Sequence, residues 1–117
     1  MLNDLDISKV RHVYLKPGKT DLRKGIDGLA AIIRSDLGLD PVDGSLFLFC
    51  GTRADRIKCL LYGGDGYVLL YKRASDGRFQ WPRDSTEAML LDQNEYKNLM
   101  QGIQVMPGIR PFQPTVY

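Results

Sequence analysis

The chain has 117 residues, of which 44% are hydrophobic and 26% charged, and its formal net charge is +2. That length can bury a core of its own, so neither a disulfide scaffold nor a structural metal is required. No run approaches the ~18 apolar residues of a membrane span, and MLNDLDISKV lacks the apolar stretch of a signal peptide; one cytoplasmic domain over 1–117 is expected, with no membrane contact and a core at about 11–102.

RHVYLK (11–16) alternates and is rich in β-formers, and Pro17-Gly18 reads as the turn that ends it. In TDLRKGIDGLAAIIRSDLG the apolar residues Leu22, Ile26, Leu29, Ala30, Ile33 and Leu37 recur at helical spacing. This predicts one long amphipathic helix over about 20–38. Thr20 would cap it, Asp21 would complement its dipole, and Gly38 would end it. Gly25 and Gly28 would then stand inside a helix at about 1 kcal/mol each, which calls for a reason. Close packing on a sheet is the expected one, and a phosphate site at the helix N-terminus is the sharper alternative.

After the turn cluster DPVDG, SLFLFC suits a central strand. DRIKCLLY and YVLLYKR follow, joined by Gly63-Gly64-Asp65-Gly66, and Ser75-Asp76-Gly77 leads to RFQW, which Pro82 stops. Turn signals at this spacing describe an antiparallel meander. EAMLL adds one more strand, and DQNEYKNLMQG is a short helix with a capping-box pattern at Asp92 and Glu95. The residues from 103 to 117 form an extended, proline-rich tail. The expected fold is therefore α+β: an antiparallel meander of about five strands, packed by one long N-terminal helix, plus a short C-terminal helix.

Charge is unevenly distributed. Residues 1–50 hold seven cations and seven acids, whereas Arg53 to Arg83 hold seven cations against three acids, a local surplus of +4. Twelve aspartates invite a search for a metal-dependent nuclease, but many stand in turns or caps, where Asp bonds nearby amides. KPGKT ends like a phosphate-binding loop but lacks the upstream glycine, because Val13 stands there. One histidine, His12, and two cysteines in apolar runs, Cys50 and Cys59, suggest neither a catalytic triad nor zinc. No enzyme activity, metal or cofactor is expected.

The hairpin region remains. If the strands alternate, Arg56, Lys58, Leu60 and Tyr62 share one side of theirs, and Tyr67, Leu69, Tyr71 and Arg73 share one side of the next. Arg/Lys beside Tyr is how sheets hold nucleic acid, with cations on phosphates and rings against bases. The same residues could instead form a solvated face whose charges confer solubility, or a surface for an acidic protein partner.

Three ordered motifs add a further indication: TDLRKGIDGLAAII, then LFLFCGTRADRIKCLLYGGDGYVLLYKR, then GRFQWP. Together they closely resemble the small Orf2-like (TnpB) accessory protein of IS-sixty-six (IS66) bacterial insertion sequences, over roughly residues 11–102. The resemblance implies a protein of transposition and DNA recombination that acts beside a separate, larger transposase carrying the catalytic acids. It picks out Asp21, Arg23, Lys24, Gly25 and Gly28; then Gly51, Arg53, Arg56, Lys58, Asp65, Gly66, Tyr71, Lys72 and Arg73; then Gly77, Arg78, Phe79, Trp81 and Pro82. The family commonly carries an aromatic pair before its GDG, where this chain has CLLYG, and usually lacks the cysteine at 59. Both departures suggest packing changes and argue against the apolar strand itself being a binding platform. The combined expectation is a non-catalytic accessory factor that contacts DNA at the element ends. Arg53, Arg56, Lys58, Lys72, Arg73 and Arg78 would meet phosphates, with Tyr71 as a stacking ring. The alternative is a protein-interaction module that docks to the transposase or another accessory protein through the same surface.

Overall fold

In the computed structural model, residues 6–83 and 87–101 are described. After a short 3-10 turn at Ile7–Lys9, the order is β1 (Val13–Lys19), α1 (Ile26–Ser35), β2 (Leu46–Cys50), β3 (Arg56–Tyr62), β4 (Tyr67–Arg73), β5 (Met89–Leu90) and α2 (Gln93–Met100). The five strands form one sheet in the order β4-β3-β2-β1-β5.

This sheet is mixed and is not the expected meander. β1 runs parallel to β2, while the β2–β3, β3–β4 and β1–β5 pairs are antiparallel. The physical reason is the connection: a helix between two neighbouring strands returns the chain to the same end, which a tight turn cannot do. Helices and loops then cover both faces, and all five residues of β2 are buried. β1 also passes through Pro17-Gly18 instead of stopping there. Its register on β2 shifts between Leu15 and Lys19, and an irregularity of this kind is where a strand tolerates proline.

The long N-terminal helix is absent. α1 has ten residues and begins at Ile26, with Gly25 as an N-cap that makes no side-chain capping bond. Thr20 stands six residues before α1 and does not cap it; its amide donates to the Cys50 carbonyl at 2.7 Å and ties this segment to the end of β2. Asp21 then closes a turn of its own: Asp21 Oδ1 accepts from the Arg23 amide at 3.0 Å, and the Lys24 amide donates to the Asp21 carbonyl at 3.2 Å. Leu22 keeps the helical apolar spacing without being helical. At the other end Gly38 has φ +65°, and the Leu39 amide reaches back to the Ile33 carbonyl, a left-handed helix stop that glycine permits. Gly28 faces the Lys24 stem, where a β-carbon would come within 3.0 Å of Lys24 Cβ, so clearance from the sheet is not its purpose.

Two apolar layers flank the sheet. On one face Leu29, Ala30 and Ile33 of α1 pack on Phe47, Phe49 and Leu60, joined by Tyr14, Leu22, Ile26, Leu37, Tyr67 and Leu69. On the other, Tyr96, Leu99 and Met100 of α2 join Phe79 and Trp81 over Val13, Leu15, Leu46, Leu48, Ile57 and Cys59. The capping box at the start of α2 is formed, with Asp92 Oδ1 accepting from the Glu95 amide and Glu95 Oε1 from the Asp92 amide.

RFQW is not a strand. The segment after β4 crosses the α2 face toward β1: the Phe79 amide donates to the Ala54 carbonyl, Trp81 Nε1 to the Lys16 carbonyl at 2.8 Å, and the Gly18 amide to the Pro82 carbonyl. The tail expected at 103–117 lies outside the described residues. Among the described residues no helix is long and apolar enough to cross a membrane.

Candidate nucleic-acid interface

The β3–β4 register decides what shares a surface. Arg56 stands opposite Arg73, Lys58 opposite Tyr71, Leu60 opposite Leu69 and Tyr62 opposite Tyr67. Leu60 belongs to the apolar layer under α1, so with two-residue alternation all eight residues lie on the α1 face. The layer under α1 reaches the Leu60–Leu69 pair. The next two pairs, Lys58–Tyr71 and Arg56–Arg73, lie beyond it, with Tyr71 and Arg73 exposed and Lys58 and Arg56 half-buried.

That end is the floor of an open cleft of about 810 Å³. Thr20, Asp21, Leu22 and Arg23, from the β1–α1 connection, form one wall, and Gly51, Thr52, Arg53 and Asp55, from the β2–β3 loop, form another; Arg56, Lys58, Leu69 and Tyr71 line the floor. The walls meet closely: a β-carbon at Gly51 would come within 3.1 Å of Leu22 Cδ1.

The loop wall is held by a tight turn in which the Ala54 amide donates to the Gly51 carbonyl and the Gly51 amide to the Arg56 carbonyl. Ala54 is a non-glycine residue at φ +61°, a conformation that costs roughly 1–2 kcal/mol. Its methyl group is buried in the core under α2, which gives alanine a packing role that glycine lacks.

The cations of the cleft differ in how far they are engaged. Arg23 forks onto Asp21, with Nε at 3.0 Å from Oδ1 and the terminal nitrogen at 2.9 Å from Oδ2. The side-chain and backbone hydrogen bonds from Arg23 hold the Asp21 carboxyl down to about 2. Arg56 Nε lies 3.4 Å from Asp55 Oδ1, an ion contact whose geometry leaves both atoms without a hydrogen bond among the described residues. Lys58 Nζ donates to the Lys24 carbonyl at 3.2 Å, using one of the three donors of an ammonium group. Thr20 is 5% exposed, and its buried hydroxyl has no hydrogen-bond partner among the described residues.

The structure therefore brings Arg53, Arg56, Lys58 and Tyr71 together and sets Arg73 beside them. It separates Lys72, whose neighbours in sequence are both on the cleft face. Lys72 Nζ donates to the Met100 carbonyl at the end of α2 and lies 5.7 Å from the centre of the Phe79 ring; burial pulls its pKa down. Arg78 is exposed in the loop after β4 and does not line the cleft. Asp65 and Gly66 belong to the β3–β4 turn at the far end of the hairpin, where the Gly63 amide donates to the Gly66 carbonyl. Trp81 is buried on the α2 face. Asp21 and Arg23 join the cleft wall, Lys24 contributes its carbonyl, Gly25 is the N-cap of α1 and Gly28 lies within it. Thr20, Leu22, Thr52, Asp55 and Leu69 line the cleft beyond the residues that the sequence points to, although Thr20 and Leu22 flank the Asp21 motif residue and Thr52 and Asp55 lie in the same loop as Arg53. Among the described residues no three His, Cys, Asp or Glu side chains form a group that could hold a metal. Both cysteines are free and buried, and desolvation raises the Cys50 thiol to about 12 and the Cys59 thiol well above its usual range.

Residues 11–108 match the family model of the IS66 Orf2-like proteins, and this span includes every cleft residue. The chain belongs to the IS66 Orf2-like family. It is 33% identical over 103 residues to the uncharacterized protein y4hO of Sinorhizobium fredii, covering 88% of this chain and 90% of that one. It is 34% identical over 83 residues to the uncharacterized protein y4jC of the same organism, covering 71% of each. No solved structure gives a significant match. Membership of the IS66 Orf2-like family ties the protein to insertion sequences and their transposition machinery.

Proposed function

We propose that this IS66 Orf2-like protein is a non-catalytic, cytoplasmic transposition factor that contacts DNA through the cleft. The observation that carries this reading is the Arg56–Arg73 pair. Like charges directly opposite on one face of a sheet are destabilising, and here they sit at the cleft end of the hairpin, next to Lys58 and near Arg53. Asp55 offsets part of that repulsion from one side. A phosphate backbone supplies the remaining counter-charge, which gives a reason to keep an arrangement that folding alone disfavours. The work of the site is electrostatic: cations on a rigid sheet neutralise phosphates and release condensed counterions.

The test is titration of the protein with element-end DNA and with unrelated DNA at several salt concentrations. Affinity should fall steeply with salt. Arg56→Ala with Lys58→Ala should weaken binding to both DNAs and flatten the salt slope by roughly one to two units. The docking alternative expects no salt-sensitive DNA binding by the wild type, with transposase co-purification lost in the same double variant. That result would replace the DNA reading.

A further inference from the structure

Resting on that reading, we infer that the cleft takes single-stranded rather than duplex nucleic acid, with a base on Tyr71 and the adjoining phosphates against Arg56, Lys58 and Arg53. The first argument is shape. Duplex DNA is a rigid cylinder, read by elements that project into its grooves, such as a helix in a major groove about 12 Å wide. Here the cations of β3 lie on the floor of a concavity, between the Thr20–Arg23 wall and the Gly51–Asp55 wall. A flexible strand with splayed bases can follow such a floor, as a charged groove with aromatic platforms requires.

The second argument is the state of the ring. β4 has two tyrosines on this face. Tyr67 packs edge-on to Tyr62, with ring centres 5.1 Å apart. Tyr71 instead stands opposite Lys58, is 51% exposed, and meets no other aromatic ring among the described residues. An exposed ring flanked by Leu69 on its own strand and by cations across the hairpin provides a surface for a base edge to edge with groups for its phosphates. A purely electrostatic duplex site has no use for it. Arg53, at the tip of the loop wall, is placed to meet the phosphate that leaves the cleft.

Fluorescence anisotropy with the 117-residue chain tests this, using one sequence as a labelled single strand, as a duplex, and as an abasic strand that keeps the phosphates but lacks the bases. The single strand should bind at least about tenfold tighter than either of the others at equal salt. Tyr71→Ala should weaken single-strand binding between about fivefold and 150-fold, Tyr71→Phe should retain it, and neither should change duplex binding. Half-exposed Tyr71 is outside the core, so thermal unfolding should match wild type for both variants. If the duplex binds as tightly as the single strand, and Arg56→Ala with Lys58→Ala weakens both, the single-strand inference is overturned while the DNA reading stands. Equal binding of the abasic strand overturns the stacking role. If no form binds with salt sensitivity, both readings fall.

Discussion

On β4, Tyr71 and Arg73 point to the face that α1 covers only in part, and Lys72 between them points to the face closed by α2 and the Phe79–Trp81 segment. Three consecutive residues thus meet two environments. On the closed face a lysine stem becomes packing material and its amine serves a helix carbonyl. On the open face an arginine and a tyrosine keep their polar groups toward water. The contrast teaches that strand parity, more than residue type, decides whether a cation in this hairpin can serve a ligand.

The largest expected effect lies on the closed face. Trp81→Ala removes a buried ring and its hydrogen bond to the Lys16 carbonyl, and should cost roughly 3–5 kcal/mol by denaturant unfolding. A loss under 1 kcal/mol would mean that the segment crossing this face is not part of the core.

A smaller effect of opposite sign is expected on the open face. Arg73→Thr removes a like-charge neighbour of Arg56 and installs a good strand former, so stability should rise by roughly 0.2–1 kcal/mol while DNA affinity falls. Lys72→Met, one residue away, should leave the salt slope of DNA binding unchanged. Equal losses of affinity from both changes would erase the distinction between the faces.

The smallest effect concerns the cleft wall and is read by titration. Asp21 titrates near 2 because Arg23 bonds its charged form, so Arg23→Gln should return it toward 3.8 in an NMR pH series. A carboxyl whose folded pKa is depressed contributes stability above its unfolded value. That contribution is lost as pH falls from about 3.8 toward about 2; in the variant the acid side of the stability profile should depend less on this group, with the bond from the residue-23 amide keeping the remainder. An Asp21 pKa unchanged by Arg23→Gln would mean that the fork does not hold the wall in solution.

Much of the open face was legible in the sequence, because alternation is local. Arg56, Lys58, Tyr71 and Arg73 could be assigned to sides of their strands from residue parity alone, and a tight hairpin then sets one side against the other. The same parity puts Lys72 on the opposite side, but nothing local says that α2 ends above it. The pairing of β1 beside β2 was equally invisible, as parallel partners are joined only through a distant crossover. The helix start at Ile26 is hidden in the sequence because Leu22 satisfies helical periodicity while packing beside Gly51 in a non-helical turn. What distinguishes the two is the Thr20 amide bonding to Cys50, a contact across thirty residues of sequence.

The segment that crosses the closed face has a consequence for how the domain assembles. The β2–β3 and β3–β4 hairpins close short loops and can form early, whereas the Trp81–Lys16 bond spans 65 residues and becomes favourable only once most of the chain is ordered. One cleft wall belongs to the early hairpins, and the other hangs from β1, the strand that this late bond secures. If the hairpins form first, a partly folded chain carries the cationic hairpin without its opposite wall. In that order of assembly the cleft is complete only when β1 has joined the sheet.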